Sequence, residues 1–129
     1  MTFRVEEISD IFTKFHLEGP WPFHPAMHRF TKPDPSYPHD HPWGFTSHVL
    51  HGGYVERVYY PHADGTWHSE LHERLAGTSH TVTADHIHQI ISLIGDECWT
   101  LVMAGPQERE VCFWEFDDAG YRQVFPFGS

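Results

Sequence analysis

A chain of 129 residues, 40% apolar and 16% aromatic, can hold one domain with its own hydrophobic core but is too short for two. Its formal charge of -10, with His neutral, sets it against nucleic-acid backbones and anionic membrane surfaces, because like charges repel at long range. The 13 histidines would cancel much of that charge near pH 6. Cys98 and Cys112 are too few for a disulfide scaffold, lack metal-type spacing and sit in apolar stretches, so they read as buried free thiols. Residues 1–10 are polar and no run is long and apolar enough to span a bilayer, so a soluble, cytoplasmic protein is expected.

Val5, Ile8, Ile11, Phe12 and Phe15 recur at helical spacing, which predicts a short N-terminal helix stopped at Gly19-Pro20. Prolines between Pro20 and Pro38 exclude regular helix and predict an irregular arm, docked on the body by Trp21, Phe23 and Phe30. Residues 1–38 are thus expected as helix and arm, and residues 39–129 as a β-barrel, within one domain. His24 and His28, in the arm, read as surface or capping histidines.

Residues 39–51 read as a single strand, with His39, His41, Trp43, Phe45, Ser47, Val49 and His51 on one face and Asp40, Thr46, His48 and Leu50 on the other. Gly52-Gly53 is the turn that ends it. Tyr54–Tyr60 and Thr66–Leu71 are expected as a hairpin with Asp64-Gly65 at its turn. His80–Ala84 and 85–93 are β-prone, 99–103 (WTLVM) is the clearest buried strand, and 111–116 and 121–127 close the chain as strands. Many short strands separated by turns predict an all-β sandwich or barrel.

Two imidazoles on one strand face make half of a metal site, since zinc, iron, copper and nickel need three or more donors about 2.0–2.2 Å from the ion. His39 and His41 supply that half. His88, or its neighbour His86 two residues earlier, is the candidate third ligand.

The spacing His39-x-His41, with Phe45 and Gly52 downstream, resembles the first motif of the cupin family, G-x5-H-x-H-x3,4-E-x6-G. Gly77, Thr83, Asp85 and His88 fall at the positions of its second, G-x5-P-x-G-x2-H-x3-N. The departures are Pro33 for the opening Gly, Phe45 or Thr46 for the Glu, Thr83 and Asp85 for the later Pro and Gly, and Ser92 for the Asn. The chain is also similar to small cupins with an HPWxFxSxxLxGxYxE signature, matched by His41, Pro42, Trp43, Phe45, Ser47, Leu50, Gly52, Tyr54 and Glu56. The two motifs cover roughly residues 33–92. The resemblance implies a cupin-type double-stranded β-helix, a jelly-roll barrel, with His39, His41 and His88 reaching one metal ion. It leaves the carboxylate position to Glu56, His51, His86 or water. It also fits a homodimer formed through a sheet edge or the N-terminal arm.

Three neutral imidazoles leave open positions on a metal. With Fe(II) that set suits an oxygenase acting on a small, partly apolar substrate; Zn, Ni or Mn would polarise a carbonyl or a bound water. A ligand-binding cupin without catalysis and a metal-free barrel are the alternatives. Tyr54 and Glu56 are the expected catalytic groups, with Tyr60 a second candidate hydroxyl. Trp43, Phe45, Tyr54 and Trp99 are the expected aromatic wall, and Arg57 and Arg74 are candidates to hold a substrate carboxylate. His62, His68, His72 and His80, in the hairpin and the loop after it, read as solvated or interfacial. The chain has no G-x-S-x-G, P-loop or G-x-G-x-x-G, which leaves serine-hydrolase and nucleotide chemistry without support.

Overall fold

The N-terminal apolar pattern forms a hairpin rather than the expected helix. β1 (Thr2–Glu7) and β2 (Phe12–Glu18) pair antiparallel with Val5 opposite Phe15 and Glu6 opposite Lys14. Ile8 and Ile11 flank the turn, where the Ile8 amide donates to the Phe12 carbonyl. Short apolar runs satisfy helical and alternating templates alike, and pairing with a third strand decides between them. That strand is β3 (His24–Phe30), formed by residues expected in an irregular arm. The computed structural model describes residues 2–20, 24–33 and 37–124. Trp21, Phe23 and residues 125–127 of the expected last strand lie outside them.

The remaining strands are β4 (Phe45–His51), β5 (Gly53–Pro61), β6 (Trp67–Leu75), β7 (Ser79–Val82), β8 (Ile87–Leu93), β9 (Cys98–Ala104), β10 (Phe113–Asp117) and β11 (Gly120–Val124). One sheet runs β1-β2-β3-β9-β4-β7, a second β6-β5-β8, and β10 pairs with β11. Residues 38–41 join the last two groups. His39 and His88 exchange both backbone hydrogen bonds at 3.0 Å, while the Trp114 amide donates to the Pro38 carbonyl at 2.8 Å and the Asp40 amide to that of Cys112 at 3.0 Å. The protein is an all-β jelly roll, and every strand pair among the described residues is antiparallel. Among the described residues there is no helix long and apolar enough to cross a membrane.

Inward-facing alternate residues of both layers make the core: Val49, Tyr54, Ile90 and Cys98, with Phe30 and Leu93 packed against them. The Asp64-Gly65 hairpin forms as expected, Asp64 Oδ1 accepting from the Thr66 amide at 3.0 Å. Cys98 is fully buried and Cys112 half-buried, both free.

Residues 39–51 are not one strand. The chain bends at 42–43, where Pro42 has no amide to pair, and passes from the second sheet to the first. Ser47 and Val49 still alternate inward from Phe45, but a register shift between Val49 and His51 leaves His51 exposed. Gly52 then turns with φ of +72°, where a Cβ would lie 2.1 Å from the Glu97 carbonyl oxygen. No other residue fits there.

Candidate metal centre

The bend that splits the expected strand is what brings the histidines together. His39 and His41 share one face of the 38–41 segment, and the hydrogen-bonded pairing of His39 with His88 sets the third ring beside them. Ring centroids lie 5.5 Å apart for His39 and His41, 5.0 Å for His39 and His88, and 4.8 Å for His41 and His88. Within this trio one ligand atom from each residue lies within 4.8 Å of the others. Nε2 of His41 and Nε2 of His88 are 3.2 Å apart. Two donors about 2.1 Å from one ion, at tetrahedral to octahedral angles, stand about 3.0–3.4 Å apart.

The protonation states suit a cation. Burial, followed by the neighbouring charges of His88, His39 and His86, pushes His41 down to about 2, so its ring is neutral. His41 Nδ1 is buried without a hydrogen-bond partner among the described residues. With His88 Nδ1–H donating to Glu56, the His88 Nε2 lone pair faces His41. A proton on His41 Nε2 serves that lone pair but leaves Nδ1 unsatisfied, whereas a proton on Nδ1 sets two lone pairs against each other. A divalent ion held by His41 and His88 would take both Nε2 lone pairs and so end their opposition.

Glu56 sits behind this cluster. Its side chain is fully buried (0% exposed). Oε1 accepts from His86 Nε2 at 2.8 Å and His88 Nδ1 at 3.3 Å, while Oε2 accepts from Arg74 Nε at 3.1 Å. Burial alone would raise its pKa, but the hydrogen bonds from His86 and His88 hold it well below the usual carboxylate range. Glu56, His86 and His88 make a second group of close ligand atoms that shares His88 with the first.

Other expected residues are placed less centrally. Burial and the Glu56 charge raise the Tyr54 phenol well above its usual value, and its oxygen lies 3.5 Å from His80 Nε2. The phenol is therefore a hydrogen-bond donor on the cavity wall. Arg57 donates to Ser69 Oγ and Arg74 is paired with Glu56, so both are engaged away from the cavity. Trp99 stacks on Phe15 at 5.4 Å on the outer face of its sheet rather than joining the aromatic wall. Tyr60 stacks on His68 in the hairpin, and His62 Nε2 lies 2.7 Å from His68 Nδ1.

Asp40 is the residue that sequence reasoning passed over. Facing away from the histidines, its side chain is 1% exposed. Oδ1 accepts from the Cys112 amide at 2.6 Å, Oδ2 from Trp114 Nε1 at 3.3 Å, and Arg109 Nη2 stands 3.1 Å from Oδ2. It pins the His-Asp-His segment to the loop before β10. The signal was in plain view: a carboxylate between two candidate ligands on a half-buried strand must find partners.

A cavity of about 280 Å³ opens from the three histidines, walled by Phe30, Trp43, Phe45 and Tyr54. Phe45, where the cupin motif has Glu, lies edge-on to His41 with centroids 5.1 Å apart. The motif carboxylate is replaced by an apolar wall.

No protein-family model and no curated protein matches the sequence. Solved structures do resemble the fold. The hydroxypropylphosphonic acid epoxidase of S. wedmorenis superposes with a TM-score of 0.59 at 12% identity, over 79% of this chain and 55% of its own. KdgF from Halomonas sp. gives 0.57 at 12% identity, over 81% of this chain and 89% of its own. A cupin-2 domain from Rhodospirillum rubrum gives 0.60 at 13%, over 84% and 73%. The chain thus spans about half the length of the epoxidase. At these identities the likeness is one of architecture, and it establishes that the chain carries the cupin fold.

Proposed function

We propose that this protein is a mononuclear metal enzyme in which His39, His41 and His88 hold one divalent transition metal ion, Fe(II), and that it oxidises a small, partly apolar substrate with dioxygen. The observation that carries this reading is the 3.2 Å approach of two Nε2 atoms in a trio that includes a buried, neutral His41. Zinc, nickel and manganese suit the same donors. Support for iron comes from the iron(II) form of the epoxidase, similar at a TM-score of 0.58 and 12% identity.

Bound Fe(II) supplies oxygen activation at positions left open by three protein ligands. Glu56 acts through His88: a carboxylate on Nδ1 fixes the tautomer and makes Nε2 the better donor. Hydrogen bonds from His86 and His88 hold Glu56 ionised, and Arg74 pairs with its other oxygen. Tyr54, kept protonated, offers a donor hydroxyl at the cavity wall, and Phe45 and Trp43 exclude water beside the ligands.

The test is metal content of protein purified without a tag, followed by anaerobic loading with Fe(II). About one ion per chain is expected, with most of it lost in His41→Ala and His88→Ala. Oxygen uptake above the substrate-free rate, across small carboxylates, thiols and diketones, then tests the enzyme. Negligible metal that does not respond to His41→Ala would leave a metal-free barrel. Bound metal with no uptake for any of these would leave a ligand-binding protein.

A further inference from the structure

The cavity that the three histidines line is also lined by a cation. On the inner face of the large sheet, Lys14 of β2 stands opposite His28 of β3, which stands opposite Thr100 of β9. All three line the same cavity as His39, His41 and His88. A lysine directed into a largely aromatic cavity is unusual unless something pairs with it.

Among the described residues no side chain makes a hydrogen bond or ion pair with it, and the nearest offsetting charge, Glu6, acts only through space from outside the cavity lining. Glu6 is the cross-strand neighbour of Lys14, but its Oε1 lies 2.7 Å from His16 Nε2 instead. Lys14 forms no hydrogen bond or ion pair among the described residues; Nζ lies 5.7 Å from the centroid of the Phe12 ring. His28 cannot serve as an anionic partner and stays neutral, pushed down to about 3 by burial and by the Lys14 charge. Among the described residues the carboxylate lining the cavity is Asp40, which is occupied by Arg109, Trp114 and the Cys112 amide. A protein of net charge -10 thus has, in the lining of this cavity, a cation with no carboxylate bonded to it among the described residues.

We propose that this cavity takes a small organic anion, an apolar body ending in a carboxylate, whose charged group pairs with Lys14 while its other end faces His39, His41 and His88. The second half of that statement rests on the metal-enzyme reading above; the first does not. Phe12 and Phe30, stacked at 4.3 Å, and Phe45 give the apolar body its surface. At about 280 Å³ the cavity is near the lower end of ligand pockets, roughly 300–1,000 Å³, and so fits a compact acid. Lys14 takes the role that Arg57 and Arg74 were expected to fill.

The experiment titrates zinc-loaded protein, which does not turn over, with benzoate against benzamide and hexanoate against hexanamide by calorimetry. A charge-assisted hydrogen bond predicts that each acid binds about 10- to 100-fold tighter than its amide. In Lys14→Met that preference should fall to within about threefold, with bound zinc unchanged, and in Lys14→Arg it should persist. The same preference should be present in metal-free protein. Equal binding of acid and amide by the wild type, or no binding of either, overturns the proposal, and that comparison needs no variant. So does an acid preference that survives Lys14→Met, or one that vanishes when zinc is removed, since the metal would then hold the anion. A protein that takes up no zinc but keeps a Lys14-dependent preference would refute the metal centre alone.

Discussion

Replacing Glu56 by Gln keeps the shape of the most buried charged side chain and removes its charge. In the native protein Glu56 is 0% exposed and accepts three hydrogen bonds, from His86, His88 and Arg74. Gln offers one acceptor oxygen and sets an NH2 group against a donor, so at least one contact becomes repulsive. Breaking a buried ion pair costs about 3–5 kcal/mol, but the Arg74 side chain is 22% exposed and keeps part of its hydration, which lowers the expectation to about 2–4 kcal/mol. In urea that corresponds to a midpoint lower by about 1–2 M. Metal affinity should fall about 10- to 100-fold, because His88 loses the group that fixes its tautomer. The pH dependence supplies a separate sign. The folded pKa of Glu56 lies below its unfolded value of 4.5, so its contribution is complete above that value and disappears as pH falls through the folded pKa. Wild type should lose stability from about pH 4.5 downward with a slope that Glu56→Gln lacks. Unchanged urea midpoint and unchanged metal affinity in the variant would refute the placement of Glu56 behind His88.

Asp40→Asn removes the charge facing Arg109 while leaving one acceptor, and should cost about 1–3 kcal/mol in thermal or urea unfolding. It should also weaken metal binding, because the His-Asp-His segment loses its anchor. Gly52→Ala should destabilise by more than about 2 kcal/mol, since φ is +72° and the added Cβ meets a carbonyl oxygen at 2.1 Å. Gly65→Ala, with φ of +91° and open space around it, should cost only about 1 kcal/mol, so the difference measures the close approach. In metal-free protein His28, His41 and His80 have folded pKa values lowered by burial to about 3, 2 and 4. The unfolded chain takes up protons first, so stability present above pH 6.5 is lost as pH falls. The slope should reach up to about 4 kcal/mol per pH unit from the three groups together, measured by urea unfolding between pH 7 and 5, and saturating zinc should raise stability across that range without moving the onset, which the unfolded chain sets.

Much of the barrel could be read along the chain, because its signals are local. The apolar run 99–103, the Asp64-Gly65 turn and the Gly52-Gly53 break each depend on a few neighbouring residues, and each is found where the pattern puts it. The trio of His39, His41 and His88 was approachable because a two-residue spacing on an extended segment sets side chains on one side. Three features were decided only by tertiary structure. The N-terminal apolar residues fit a helix as well as a strand until β3 offered an edge to pair with. Pro42 marks a bend in any context, but only the presence of a second sheet sends His39 and His41 to one layer and Phe45 to the other. The sites of charge are the least local of all. Glu56, Asp40 and Lys14 look alike in sequence as charged positions among apolar neighbours, and their roles follow from which partners the folded chain brings within reach. Composition and periodicity determine which residues turn inward; the free energy of an inward charge depends on neighbours tens of residues away.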